Sequence, residues 1–189
     1  YGLISEDAGG EEIEYTYDAL GRVINKTFDG GSVSYTYDAF GRVASESGSG
    51  LSKNYAYDAN SNLTGFTLKE GETTKQEIAY VYDRLNRLTP LTSDNKVFTY
   101  TYDAAGNLTQ KQVPGYTANY TYNKANLVTA MENLQGTDVI NSYTYGYTTD
   151  GHLISETEAG VGEKTYNYDS LGRLVNEIQT YGDSENTYA

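Results

Sequence analysis

Tyr15-Thr16-Tyr17-Asp18-Ala19-Leu20-Gly21-Arg22-Val23 returns twenty residues later as Tyr35-Thr36-Tyr37-Asp38-Ala39-Phe40-Gly41-Arg42-Val43. In a strand, alternation puts Tyr15 and Tyr17 on one face and Thr16 on the other. Aromatic and β-branched residues suit that pleated surface. Asp18 can accept hydrogen bonds from the backbone two residues on, and a type I turn closed by a left-handed residue makes a three-residue hairpin loop. Gly21 supplies that corner, because glycine reaches positive φ at little cost. Val23 then opens a return strand, so the predicted unit is a β-hairpin.

The motif recurs eight times, with its second aromatic position at Tyr17, Tyr37, Tyr57, Tyr82, Tyr102, Tyr122, Tyr147 and Tyr168. Most steps are 20 residues and every third is 25, so Tyr17, Tyr82 and Tyr147 mark a 65-residue superperiod of three hairpins. The turn-opening position holds Asp18, Asp38, Asp58, Asp83, Asp103, Asn123, Thr148 and Asp169. The corner holds Gly21, Gly41, Ser61, Asn86, Gly106, Asn126, Gly151 and Gly172, and all but Ser61 are Gly or Asn, the residues that visit the left-handed region most readily. An aliphatic anchor follows each turn: Val23, Val43, Leu63, Leu88, Leu108, Val128, Leu153 and Leu174. Second turns between hairpins are signalled by Asp29-Gly-Gly31, Gly48-Ser-Gly50, Asp94-Asn95 and Pro114-Gly115. The five extra residues of the long units fall near Lys69–Glu72 and Gln135–Asp138, where they are expected to form projecting loops.

Repetition at so short a period means that each unit must bury its apolar face on its neighbours. Eight hairpins give about sixteen antiparallel strands and, at ~4.8 Å per strand, a sheet about 75 Å wide. A sheet of that width is expected to curl, because every strand twists. No linker or shift of composition interrupts the repeats. The expected organisation is therefore one continuous array over residues 1–189. Its start, Tyr1-Gly-Leu-Ile-Ser-Glu6, matches Gly151–Glu156 from Leu3 onward, and its end, Asn186-Thr-Tyr-Ala189, is also in mid-repeat. A segment truncated in mid-repeat at both ends is expected, and the lack of a targeting sequence in such a piece carries no information.

The 189 residues include 21 Tyr, no Trp, 20 Gly and only 2 Pro. Burial must therefore come largely from tyrosine rings, whose hydroxyls need partners, and the few prolines suit sheet interiors. No segment has sustained helical spacing of apolar residues. A net charge of −13 argues against nucleic acid, which requires clustered Lys and Arg, and against anionic membrane surfaces. It suits instead an array kept dispersed by charge of one sign. No apolar run approaches the roughly 18 residues of a spanning helix, so no membrane insertion is expected. The absence of cysteine removes disulfides, thiol nucleophiles and cysteine-ligated metals.

Tyr17-Asp-Ala-Leu-Gly-Arg-Val23, Tyr37-Asp-Ala-Phe-Gly-Arg-Val43 and Tyr168-Asp-Ser-Leu-Gly-Arg-Leu174 resemble the motif of the YD-repeat, or rearrangement-hotspot (Rhs), family. The resemblance covers nearly the whole chain. It implies an all-β fold of tandem antiparallel β-hairpin repeats forming a curved, spiral sheet, the wall of a hollow shell. Such shells occur in bacterial Rhs and insecticidal toxin-complex proteins and in teneurins. It also implies a secreted or cell-surface setting, and as partners the remainder of the parent shell or an enclosed domain such as a C-terminal toxin. The arginine that follows the corner is present at Arg22, Arg42, Arg87 and Arg173 but replaced by Asn62, Asn107, Leu127 and His152, so an arginine ladder is expected to be broken. The family's autoproteolytic core has no counterpart in these residues.

Six recurring aspartates could be mistaken for paired hydrolase carboxylates, but a hydrolase needs one such pair, whereas this array repeats the residue at one turn position. The contiguous Asp-x-Asp-x-Asp spacing of a calcium loop is missing, and no metal or cofactor is expected. His152, the sole histidine, is expected to be a surface turn residue and not a general base. The expected function is structural and non-enzymatic. The alternative is a carbohydrate-binding or adhesion module in which Tyr15, Tyr17, Tyr35 and Tyr37 stack on sugar faces. Unpaired strand edges would also invite edge-to-edge self-association.

Overall fold

The hairpin repeat is realised twice over in a computed structural model that describes residues 5–8, 11–182 and 184–188. The chain divides into two compact units, Tyr1–Lys96 and Val97–Ala189. The first holds β1 (Ser5–Ala8), β2 (Glu11–Tyr17), β3 (Val23–Phe28), β4 (Gly31–Tyr37), β5 (Val43–Gly48), β6 (Leu51–Tyr57), β7 (Leu63–Glu70), β8 (Thr73–Tyr82) and β9 (Leu88–Ser93). The second holds β10 (Lys96–Tyr102), β11 (Leu108–Val113), β12 (Tyr116–Tyr122), β13 (Val128–Gln135), β14 (Asp138–Tyr147), β15 (Leu153–Glu158), β16 (Gly162–Tyr168), β17 (Leu174–Tyr181) and β18 (Ser184–Tyr188). Within each unit every strand pairs antiparallel with the next in sequence. Among the described residues there is no helix, so the protein is all-β. The mid-repeat start read at Tyr1–Glu6 falls partly on residues 1–4, and that at the end includes Ala189; these lie outside the described residues.

Two ladders of different length alternate. Across the Asp turn, pairing runs up to the last tyrosine, as in Tyr17↔Val23, with a one-residue bulge before it. Between hairpins it stops short, at Asn25↔Ser34 for β3 and β4 and at Gln110↔Asn119 for β11 and β12. Neighbouring hairpins therefore part at their Asp-turn ends. The backbone carbonyls left there must find other donors.

The five extra residues of the long units are not in projecting loops. They lengthen the strands: β7 and β8 have 8 and 10 residues, and β13 and β14 likewise, against 6 and 7 in β3 and β4. Glycines with positive φ, Gly71 at 55° and Gly136 at 62°, keep the connecting turns tight. One strand of each pair gains two residues and the other three, and the odd residue becomes a bulge. The register passes from Leu68↔Gln76 to Lys69↔Thr74 over Lys75, and from Asn133↔Asn141 to Leu134↔Val139 over Ile140. Lys75 then pairs with Glu70 at 2.7 Å.

Register also separates the two faces. Tyr15, Lys26, Val33, Tyr35, Glu46, Lys53, Tyr55 and Phe66 fall on one face of the first unit, and Thr16, Asn25, Ser34, Thr36 and Ser45 on the other. Polar partners on the second face bond to one another, Thr36 to Ser45 at 2.6 Å and Ser34 to Asn25 at 3.1 Å. Among the described residues only Ile13 is buried as a core hydrophobe, at 8% exposure. Such a sheet gains little from an oily interior. Most of its tyrosines and its aliphatic anchors other than Leu174 are half-buried against lateral neighbours instead.

Candidate functional site

The repeated turn is where the chain concentrates charge, hydrogen bonding and special backbone geometry. In the first copy, Asp18 Oδ1 accepts from the backbone N–H of Leu20 and of Arg22, both at 2.9 Å. Asp18 Oδ2 takes the Arg22 guanidinium, with Nε at 2.7 Å. Gly21 donates to the Asp18 carbonyl at 3.0 Å, and Asp18 donates to the Arg22 carbonyl at 2.9 Å. One carboxylate thus holds both arms of the hairpin. The corner φ is 79° at Gly21, 83° at Gly41, 69° at Ser61, 59° at Asn86, 94° at Gly106, 61° at Asn126, 88° at Gly151 and 74° at Gly172.

Variants of the turn keep the geometry with different donors. Asp38, Asp83 and Asp169 repeat the ion pair with Arg42, Arg87 and Arg173 at 2.7 Å. At Asp58 and Asp103 the amides of Asn62 and Asn107 replace the guanidinium, each at 2.9 Å. Asn123 Oδ1 still accepts from Ala125 at 2.9 Å and Leu127 at 3.0 Å, and Thr148 Oγ1 from His152 at 3.0 Å. The arginine series is broken in sequence, yet Asn62 and Asn107 preserve its bond to the aspartate. That equivalence is invisible to residue type alone.

These aspartates sit below the usual carboxylate range. For Asp18, Asp83 and Asp169 the first cause is the backbone N–H of the arginine four residues on. For Asp58 and Asp103 it is the side-chain amide of Asn62 or Asn107. At Asp38 desolvation is the largest influence and acts upward, but the hydrogen bonds from Arg42 and Phe40 together with the Arg42 charge outweigh it. A carboxyl with a lower pKa folded than unfolded takes up protons more readily in the unfolded chain. Its stabilisation is complete above the unfolded value, 3.8, and is lost as pH falls through the folded one. Urea midpoints are expected to be level above about pH 5 and to fall steadily below about pH 4. Equal midpoints at pH 7 and pH 3 would contradict this.

Tyrosine hydroxyls serve the carbonyls left by the short ladders. Tyr37 donates to the Val23 carbonyl at 2.7 Å, Tyr82 to Leu63 at 3.0 Å, Tyr122 to Leu108 at 2.7 Å, Tyr147 to Val128 at 2.8 Å and Tyr168 to Leu153 at 2.8 Å. Each bond ties the second tyrosine of one hairpin to the aliphatic anchor of the hairpin before it. Burial raises the pKa of Tyr82, Tyr122 and Tyr147 further above neutrality. Sequence reasoning identified the rings as packing area but missed this latch, since it depends on where the ladders stop.

Arginines cross to the next hairpin as well. The Arg22 guanidinium lies 4.3 Å from the Tyr37 ring centre and that of Arg42 4.6 Å from Tyr57, within cation–π range. His152 occupies the same position and its ring lies 4.9 Å from that of Tyr168. Of the candidate stacking tyrosines, Tyr15, Tyr35 and Tyr37 line one shallow groove with Val23, Lys26 and Val43, of about 310 Å³. Tyr17 does not line it. Among the described residues no cluster of three or more His, Cys, Asp or Glu could hold a metal ion. No helix there is long and apolar enough to cross a membrane.

Residues 56–188 match the family model described as the teneurin YD-shell, and residues 17–50 match that of the RHS repeat. No curated protein matches the chain. The fold is found in the Photorhabdus luminescens Tc holotoxin pore with a mutated TccC3, at a TM-score of 0.62 and 17% identity over 99% of this chain. It is found again in TcdB2-TccC3-TEV, at a TM-score of 0.63 and 16% identity over 98% of this chain. In both cases the matched region is 13% of the length of the other chain.

Proposed function

The chain belongs to the teneurin YD-shell family, and from that premise we propose that it is a non-enzymatic stretch of shell wall that encloses or presents another part of its parent protein. The observation that carries the proposal is the repeated turn. Its aspartates, the residues most easily taken for catalysts, have both oxygens engaged in holding the hairpin and its side-chain partner, as at Asp18 and Asp58. Every turn repeats this arrangement or a close variant, as a wall requires and a single active site does not. Motif spacing is unchanged where the two units meet, with Tyr82 and Tyr102 twenty residues apart, so the proposal treats residues 1–189 as one array. A secreted or surface setting, and an enclosed toxin as cargo, come from the family likeness. Edge-to-edge self-association through exposed strand edges is part of the same proposal.

Limited proteolysis of the full-length parent tests enclosure. A segment inside the wall should survive protease levels that destroy the same segment expressed alone. Equal cleavage of the two would overturn the proposal.

One observation favours a second function, the adhesive or glycan-binding one. The groove lined by Tyr15, Tyr35 and Tyr37 also holds Lys26, whose ammonium lies over the Tyr15 ring, while Arg22 covers the Tyr37 ring; Tyr35 is the ring a sugar would stack on. Binding in a cell-wall polysaccharide pull-down that Tyr35→Ala reduces at least tenfold would support it. Retention that is undetectable, or unchanged in Tyr35→Ala, would remove it.

A further inference from the structure

Between successive turns the side chain just after one corner meets the corner residue of the next. Six such meetings lie within the two units, and they follow two patterns. In the first, a long side chain faces a corner that is small. Arg22 faces Gly41, where an added Cβ would lie 3.6 Å from Nη1. Arg42 Nη1 donates to the Asp58 carbonyl at 2.8 Å and to Ser61 Oγ at 3.1 Å. Leu127 Cδ1 would lie 3.7 Å from a Cβ on Gly151, and His152 Nε2 2.9 Å from a Cβ on Gly172. In the second pattern, asparagine faces asparagine. Asn62 Nδ2 donates to Asn86 Oδ1 at 3.0 Å, and Asn107 Nδ2 to Asn126 Oδ1 at 2.9 Å.

We propose that these two residues form a matched pair, and that the pairs determine which hairpin is accepted beside which. The identities of the corner residues therefore carry more than a backbone requirement. Asparagine adopts the left-handed corner at Asn86 and Asn126, so local conformation alone does not explain glycine at Gly41, Gly151 and Gly172. What separates the two groups is the neighbour. At the splayed Asp-turn ends, either one long side chain or two short amides bridge from one hairpin to the next corner. Asn62 and Asn107 each hold their own aspartate and the next corner with the same amide, a bridge that a corner glycine cannot complete. Conversely, a side chain on Gly172 would meet the His152 ring, which is already placed against Tyr168. The sequence pair Arg87 and Gly106 obeys the first pattern. This inference is independent of what the wall encloses.

Two double-mutant cycles on the intact chain test the pairing by urea unfolding. Gly172→Asn should lower the folding constant at least tenfold in the native background and no more than threefold together with His152→Asn. Asn107→Arg should likewise be harmful beside Asn126 and relieved at least threefold by Asn126→Gly. Should Gly172→Asn alone prevent folding, recovery of the fold on adding His152→Asn supports the pairing, and failure to recover it overturns it. Additive effects in either cycle also overturn it.

Discussion

Tyr147→Ala should remove about 3 kcal/mol of folding stability, at the low end for truncating a packed aromatic side chain. The ring belongs to the last residue of β14 and its hydroxyl reaches the Val128 carbonyl at 2.8 Å. The substitution thus deletes packing within one hairpin and the tie to the hairpin before it. Tyr147→Phe isolates the second part. It should cost about 1 kcal/mol, the net value of a typical hydrogen bond, because water can reach the half-buried carbonyl once the hydroxyl is gone. Urea denaturation followed by tyrosine fluorescence or far-UV circular dichroism measures both. If the phenylalanine variant costs as much as the alanine variant, the ring contributes nothing of its own. If neither costs anything, hairpins are not joined through tyrosine.

Gly21→Val should cost about 2 kcal/mol, while Gly21→Asn should cost only a few tenths, because the left-handed region penalises ordinary side chains by about 1–2 kcal/mol and β-branched ones more. Gly21 has φ of 79°, and among the described residues nothing lies within 4 Å of an added Cβ. The β-carbon itself meets no described neighbour, so the difference between the two variants reports chiefly backbone conformation. Comparable losses for valine and asparagine would show that the corner at Gly21 does not need a left-handed residue.

How much of this could be read from the residues depends on the range of each interaction. Alternation in Tyr15-Thr-Tyr17 and an aspartate-led turn are properties of fewer than ten residues, so the all-β hairpin repeat was accessible from sequence. The Tyr-Asp-x-x-Gly-Arg motif likewise carried the family. Long-range facts were not accessible. Nothing local announces that β3 and β4 stop pairing at Asn25↔Ser34, and the Tyr37 latch to Val23 follows from that stop. The glycine and charged residues at Lys69–Glu72 read as a loop, yet Gly71 confines the turn and the other extra residues pair, with Lys75 as the bulge. For the candidate site, sequence grouped Tyr15, Tyr17, Tyr35 and Tyr37 by type. Geometry gathers only Tyr15, Tyr35 and Tyr37 around one groove, since it adds Lys26 and Val43 from the intervening and following strands. The broken arginine series proved the least legible, because Asn62 and Asn107 make the same aspartate contact with a different functional group.

A sheet with so little buried core must draw its stability from contacts between adjacent hairpins, and stability of that kind grows with the number of repeats. Chains of two, four, six and eight hairpins cut from this sequence at the second turns, compared by urea denaturation at neutral pH, measure that growth. The account predicts that the two-hairpin chain is unfolded in water and that the midpoint rises with each added pair. A two-hairpin chain that folds with the midpoint of the full array would contradict it.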